Sequence, residues 1–214
     1  MIKEICIGDY RDIEPAIKAG ANRIELNADL PEGGVTPSFG VIDQSVRLGQ
    51  KYQVPVIVML RPRGGNFVYT DEEFQIMRED LCQIALLNAD GVAFGCLNAD
   101  GSLDQPKMAQ LLKLTSALKL TAVMHMAFDE ILKADQQQAI DWLSFNGAER
   151  ILTHGGVLTK SITETLPNLK EIIAKAGKKI TILPGGGINS KNVAEVSRKL
   201  GVQQAHGSKI VDFR

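Results

Sequence analysis

Short apolar, β-branched runs alternate along this chain with longer stretches whose apolar residues recur at helical spacing. The runs cover residues 2–7, 23–26, 54–60, 91–94, 120–124, 150–152, 179–183 and 203–206, eight candidate strands. Between them, Ile13, Ile17 and Ala21 fall on one helical face, as do Phe74, Met77, Leu81, Ile84 and Ala85. Met108, Leu111, Leu112 and Leu118 mark another helix, and further ones run through Ile140 and Leu143 and through Leu169, Ile172 and Ile173. The joins recur too. "KAGANRIEL", "LLNADGVAF", "SFNGAERIL" and "RKLGVQQAH" each read as a helix end, a Gly or Asn, a small polar step and a strand. A Gly or Asn just past a helix adopts the left-handed conformation at low cost. One βα unit therefore repeats about every 27 residues.

Strict βα alternation predicts a parallel sheet with helices outside it. Eight units predict an α/β fold of the (β/α)8 TIM-barrel type, a single domain over residues 1–214. A doubly wound open sheet is the alternative, and it calls for a G-x-G-x-x-G turn after the first strand. The sequence there, "IGDYRDIE", has none. Only "GSKIVDFR" follows His206, so the last helix is expected to be short or missing. A missing helix would leave barrel surface to cover, which makes a homodimer a candidate assembly.

Composition narrows the partners. Lys and Arg number 24 and Asp and Glu 25, a net charge of −1. That balance argues against nucleic acid or an anionic membrane as the main partner. The longest apolar stretches are about six residues, against roughly 20 for a membrane span. Glu4 and Asp9 interrupt any secretory apolar segment in "MIKEICIGDY". Cys6, Cys82 and Cys96 form no C-x-x-C pair and read as reduced thiols of a cytoplasmic protein.

In such barrels the chemistry lies where strands end. All three histidines, His125, His154 and His206, fall at predicted strand C-termini. Glu25 lies between Ile24 and Leu26; if those face the helices, it points inward, with Arg61 on the next strand as its expected partner. Arg63 before Gly64–Gly65 suits a carboxylate or phosphate. "ILPGGGINS" puts Gly185, Gly186 and Gly187 after strand seven, and "HGSK" puts Gly207 and Lys209 after strand eight, where many barrels bind phosphate. A close-approaching anion explains these glycines; a tight turn needing positive φ is the rival account. Soft donors also gather at the mouth: Cys6, Cys96, Met59, Met124, Met126 and His125, a set that suits Cu(I).

Several blocks in order carry a family resemblance: "ANRIELNADLPEGGVTPSFGVI", "PVIVMLRPRGGNFVYTDEEFQIMRED", "ADGVAFGCLNADGSLD", "HMAFDE", "ERILTHGG" and "ILPGGGINSKNV". Together they resemble the copper homeostasis protein CutC family over almost the whole chain. The resemblance implies a (β/α)8 barrel and cytoplasmic copper handling. It places the family's polar positions on Glu25, Arg61, Arg63, His125, Asp129, Thr153 and Gly185 to Gly187, and a usual Cys on Cys6. Two positions depart: Asn27 stands where the family commonly has Cys, and Met126 where it commonly has Arg. Two functions follow. In one, Cys6, with Cys96 or a strand-end Met, holds a copper ion as Cu(I). In the other, a barrel enzyme holds a small anionic metabolite, phosphorylated or carboxylated, with Arg61, Arg63, Gly185–Gly187 and Gly207. There His125 is the acid/base, oriented by Asp129 or Glu25.

Overall fold

Each predicted strand forms, with ends shifted by a residue or two, in the computed structural model, which describes residues 1–213. The strands are β1 (Ile2–Ile7), β2 (Arg23–Leu26), β3 (Val56–Met59), β4 (Gly91–Phe94), β5 (Thr121–Met124), β6 (Arg150–Thr153), β7 (Thr181–Pro184) and β8 (Gln204–Gly207). Seven helices lie between them: α1 (Ile13–Lys18), α2 (Phe39–Tyr52), α3 (Asp71–Leu86), α4 (Gln105–Ala117), α5 (Gln136–Phe145), α6 (Ile162–Ala176) and α7 (Val193–Leu200). None of them is long and apolar enough to cross a membrane.

All ladders are parallel, in the order β7-β6-β5-β4-β3-β2-β1-β8. The expected closed barrel is thus nearly closed. β7 and β8 share no ladder among the described residues; their chains meet just past the strand ends, at the Asn189–Lys209 bridge, where the Ser190 N–H donates to the Lys209 carbonyl at 2.8 Å. Gly207 permits this approach, since a Cβ there would stand 2.2 Å from the Ile188 carbonyl oxygen. The described residues after β8 contain no helix, as expected. Ile210 and Val211 instead bury themselves in the core.

Alternation along the strands fixes what faces inward. Ile5, Ile7, Ile24, Leu26, Val56, Val58 and Val92 join the large core between sheet and helices. A second cluster fills the barrel itself: Ile57, Met59, Ala93, Val123, Leu152 and Leu183. Those six come from β3 to β7. The inward positions on β8, β1 and β2 carry Glu4, Cys6, Arg23, Glu25, Gln204 and His206, and Arg150 on β6 points inward at the lower end beside Glu4 and Arg23. Above Arg150 the interior is divided, apolar on one side and ionisable on the other.

Candidate functional site

The ionisable half begins below the mouth. Glu4 is in register with Arg23 on β2 and with His206 on β8, so the three side chains stand abreast inside the barrel. Glu4 accepts from Arg23 Nε on one oxygen, and its other oxygen lies 2.8 Å from His206 Nδ1. Arg23 Nη2 also donates to Gln204 at 2.7 Å. Burial alone would raise Glu4. The hydrogen bond and charge of His206, with those of Arg23, outweigh it and hold the carboxylate down to about 2. Charge inside a barrel persists only when paired and hydrogen-bonded in this way.

Above this layer sit Cys6, Glu25 and Asn27. One ligand-capable atom from each of Cys6, Glu25 and His206 lies within 4.8 Å of the others, the one such trio among the described residues. His206 Nε2 is 3.8 Å from Glu25. Asn27 Nδ2 donates to Glu25 Oε2 at 3.0 Å and reaches Cys6 Sγ at 3.3 Å. Burial raises Glu25, and the Glu4 charge adds to that against the pull of His206. Burial also raises the Cys6 thiol. For His206 burial acts downward, but the Glu25 charge and its bonds to Cys6 and Glu4 carry it well above the ordinary imidazole range. With Nδ1 turned to Glu4, Nε2 is the nitrogen presented to the other two groups. A carboxylate behind an imidazole orients it for a metal in this manner.

Cys6, Glu25, Asn27 and His206 line one wall of a cavity of about 120 Å³ whose other wall carries Met59, Arg61, Phe67, His125, Met126 and Leu152. A wider vestibule of about 470 Å³, lined by Gly186, Gly187, Ser208 and Lys209, opens above it. Arg61 does not pair with Glu25, contrary to expectation. Glu25 is in register with Ile57, and Arg61 lies four residues further along, roughly 13 Å at strand rise. Its Nη1 instead donates to the Glu32 and Gly34 carbonyls and its Nη2 to the Gly65 carbonyl. The Gly33–Gly34 pair, in the loop after β2, presses on the site. A Cβ on Gly34 would lie 2.3 Å from Asn27 Oδ1, and one on Gly33 would lie 2.9 Å from Arg61 Nη1. Gly34 also has φ +86°. Gly34→Ala is therefore expected to destabilise the fold by at least about 1–2 kcal/mol, the cost of a left-handed alanine, before any displacement of Asn27. Chemical denaturation of the variant measures it; an unchanged midpoint would mean the loop is free to move away.

The other predicted residues take different places. His125 was expected to be an acid/base near neutrality, oriented by Asp129 or Glu25. Burial, with the Arg61 charge, pushes it down to about 3, and its Nδ1 accepts the Ala127 N–H at 3.2 Å. Asp129 does not meet it. That carboxylate accepts from the Thr153 hydroxyl and from the backbone N–H groups of His154, Gly155 and Gly156, capping the turn after β6. Arg63 pairs with Glu73 and donates to the Gly64, Asn66 and Val68 carbonyls, so its fork organises its own loop. Cys96 is fully buried in the outer core, its amide against Met108 sulfur and its thiol pushed up to about 12, and it does not join Cys6. In the glycine triplet, Gly186 and Gly187 have φ +75° and +73°. A Cβ on Gly185 would meet Leu152 at 2.7 Å. Turn geometry accounts for two of the three and close packing for the third, with Gly186 and Gly187 still bordering the vestibule. Sequence reading missed Glu4 and Arg23 altogether.

A protein-family model described as the CutC family matches residues 1–211. A family protein CutC of Enterococcus faecalis is 46% identical over 211 residues, which span 99% of this chain and 100% of that one. The human protein named "Copper homeostasis protein cutC homolog" is 39% identical over 207 residues, 97% of this chain and 72% of the human one. The crystal structure of CutC from Streptococcus agalactiae superposes with a TM-score of 0.94 at 38% identity, covering 99% of this chain and 100% of that one.

Proposed function

The chain belongs to the CutC family, and on that premise we propose that it binds copper in the cytoplasm, as Cu(I), through Cys6 and His206. The human relative is named for copper homeostasis, and the barrel mouth supplies a matching donor set. The observation that carries the reading is the convergence of a thiol, an imidazole and a carboxylate within 4.8 Å of one another. Thiolate and imidazole are the softer donors, which suits Cu(I), while Glu25 is hard and balances charge beside the ion. Glu4 fixes the ring through Nδ1 and leaves Nε2 for the metal. None of the three cysteines is disulfide-bonded, as a reducing compartment requires.

Ligands must shed protons to bind. The Cys6 thiol and the His206 imidazolium both hold theirs more tightly than usual here. Cu(I) binding therefore releases protons and weakens as pH falls. The test is competition for Cu(I) against a chelating dye under reducing conditions, with Cys6→Ser, Cys96→Ser and His206→Gln beside the wild type and Zn(II) in parallel. Cys6→Ser should abolish the specific site and Cys96→Ser should leave it intact. Equal Cu(I) binding by wild type and Cys6→Ser would sink the assignment, and preference for Zn(II) would replace copper as the ion.

A further inference from the structure

The two halves of the barrel interior meet at the 120 Å³ cavity, and the residues opposite Cys6 include Arg61 and His125. Arg61 Nε and His125 Nε2 are buried and have no hydrogen-bond partner among the described residues. Their residues are 5% and 3% exposed. Neither atom is unpaired through looseness. Loop carbonyls take both terminal nitrogens of Arg61. His125 is pinned through Nδ1 by the Ala127 N–H. A ring nitrogen that accepts carries no proton, so the neutral ring carries its proton on Nε2. Both groups also pack on Phe67: the guanidinium carbon lies 4.8 Å from its centroid and the imidazole centroid 4.9 Å. Gly95 leaves room for the ring, since a Cβ there would come within 2.9 Å of His125 Cε1.

Buried polar groups are almost always hydrogen-bonded, and each exception calls for a cause. Two such donors, on residues that pack against one aromatic ring and line one cavity, make a preorganised place for oxygen. We propose that Arg61 Nε–H and His125 Nε2–H bind the carboxylate of a short 2-hydroxy or 2-keto acid in the barrel mouth. The class follows from charge, size and lining. Arg61 supplies one positive charge, and burial keeps His125 neutral, so the pair suits a monoanion. A phosphate ester would bring a second negative charge towards Glu25 and a third terminal oxygen with no donor. The cavity is far below the roughly 300–1,000 Å³ of drug-sized pockets, so the carbon chain is short. Met59, Phe67, Met126 and Leu152 give that chain an apolar wall. The oxygen on its second carbon then faces Glu25, His206 and Asn27. Neither donor belongs to the copper ligand set, so this subsite stands or falls independently of copper.

The test uses 15N NMR of the histidine side chains with calorimetric titration of pyruvate and lactate, and with phosphate and chloride at matched ionic strength. In the free protein His125 should show the Nε2–H tautomer. Pyruvate or lactate should shift that resonance saturably and raise the melting temperature. His125→Asn keeps an acceptor for the Ala127 N–H but removes the outer donor, and should weaken pyruvate binding by about tenfold or more. His125→Gln restores a donor at the outer position and should recover part of the affinity. An Nδ1–H tautomer, equal binding by wild type and His125→Asn, or phosphate binding as tightly as pyruvate would each overturn the proposal.

Discussion

Glu4→Ala is expected to cost about 3–5 kcal/mol of folding stability, the range for breaking a buried charge network from one side. The substitution leaves Arg23 and His206 inside the barrel without the carboxylate both now face. Gln204 holds only one of the Arg23 nitrogens. The pH dependence identifies the cause. Glu4 is lowered from 4.5 to about 2, so the folded state binds its proton less readily than the unfolded chain. Its contribution is full above pH 4.5 and is lost as pH falls towards about 2. His206 has the opposite sign: its raised value stabilises the fold below the ordinary imidazole range and is lost as pH rises through the elevated value. Urea unfolding across pH should therefore show an acid limb and an alkaline limb in the wild type. Glu4→Ala should flatten the first and move the second downward. A loss below about 1 kcal/mol, with both limbs kept, would mean water or Glu25 takes over the role of Glu4.

The barrel was legible because its evidence is local. Apolar runs, helical spacing and Gly or Asn stops mark each βα unit separately. α2 shows the limit of that reading. Its buried face is Ile42, Ser45, Val46 and Gly49, and half of it is small rather than apolar. Gly49 must be small, since a Cβ there would stand 2.6 Å from Val56 Cγ2. With only Ile42 and Val46 apolar on that buried face, little of it stands out among large apolar residues, although the face keeps its helical spacing.

The site was legible only in part, for a related reason. The inward direction of Glu25 follows from alternation along one strand. Its neighbours depend on register between strands, which no local pattern records. Arg61 was an expected partner by strand adjacency, yet it stands above the strand, in another layer. Glu4 and Arg23 look like ordinary polar positions until β1 pairs with both β2 and β8. The contact of Glu4 with His206 closes the sheet between the two ends of the chain, 202 residues apart. His206 was one of three strand-end histidines, and only that closure sets it apart. His125 was correctly placed at the mouth, but spacing could not show that Ala127 claims its inner nitrogen.

Asn27→Cys is expected to tighten Cu(I) binding by at least about 100-fold, since losing even an outer partner of a metal ligand changes affinity 10- to 100-fold. Asn27 Nδ2 stands 3.3 Å from Cys6 Sγ, so a thiol in its place faces the first thiol across the same mouth. Two thiolates make a softer pair than one thiolate with an imidazole, and Cu(I) follows softness. The exchange also removes the amide that donates to Glu25 at 3.0 Å, which leaves that buried carboxyl more inclined to stay protonated. Dye competition under reducing conditions measures the gain, and Cys6→Ser combined with Asn27→Cys provides the control. The double variant keeps one thiol, so it should lose the gain and bind no better than the wild type. If Asn27→Cys alone titrates like the wild type, Cys6 is not a copper ligand. If the double variant binds as tightly as Asn27→Cys, the introduced thiol works with His206 and Cys6 is dispensable. The full gain with both thiols and its loss with either alone would mean that this chain binds copper with half of a dithiolate site, and that Asn27 sets its affinity.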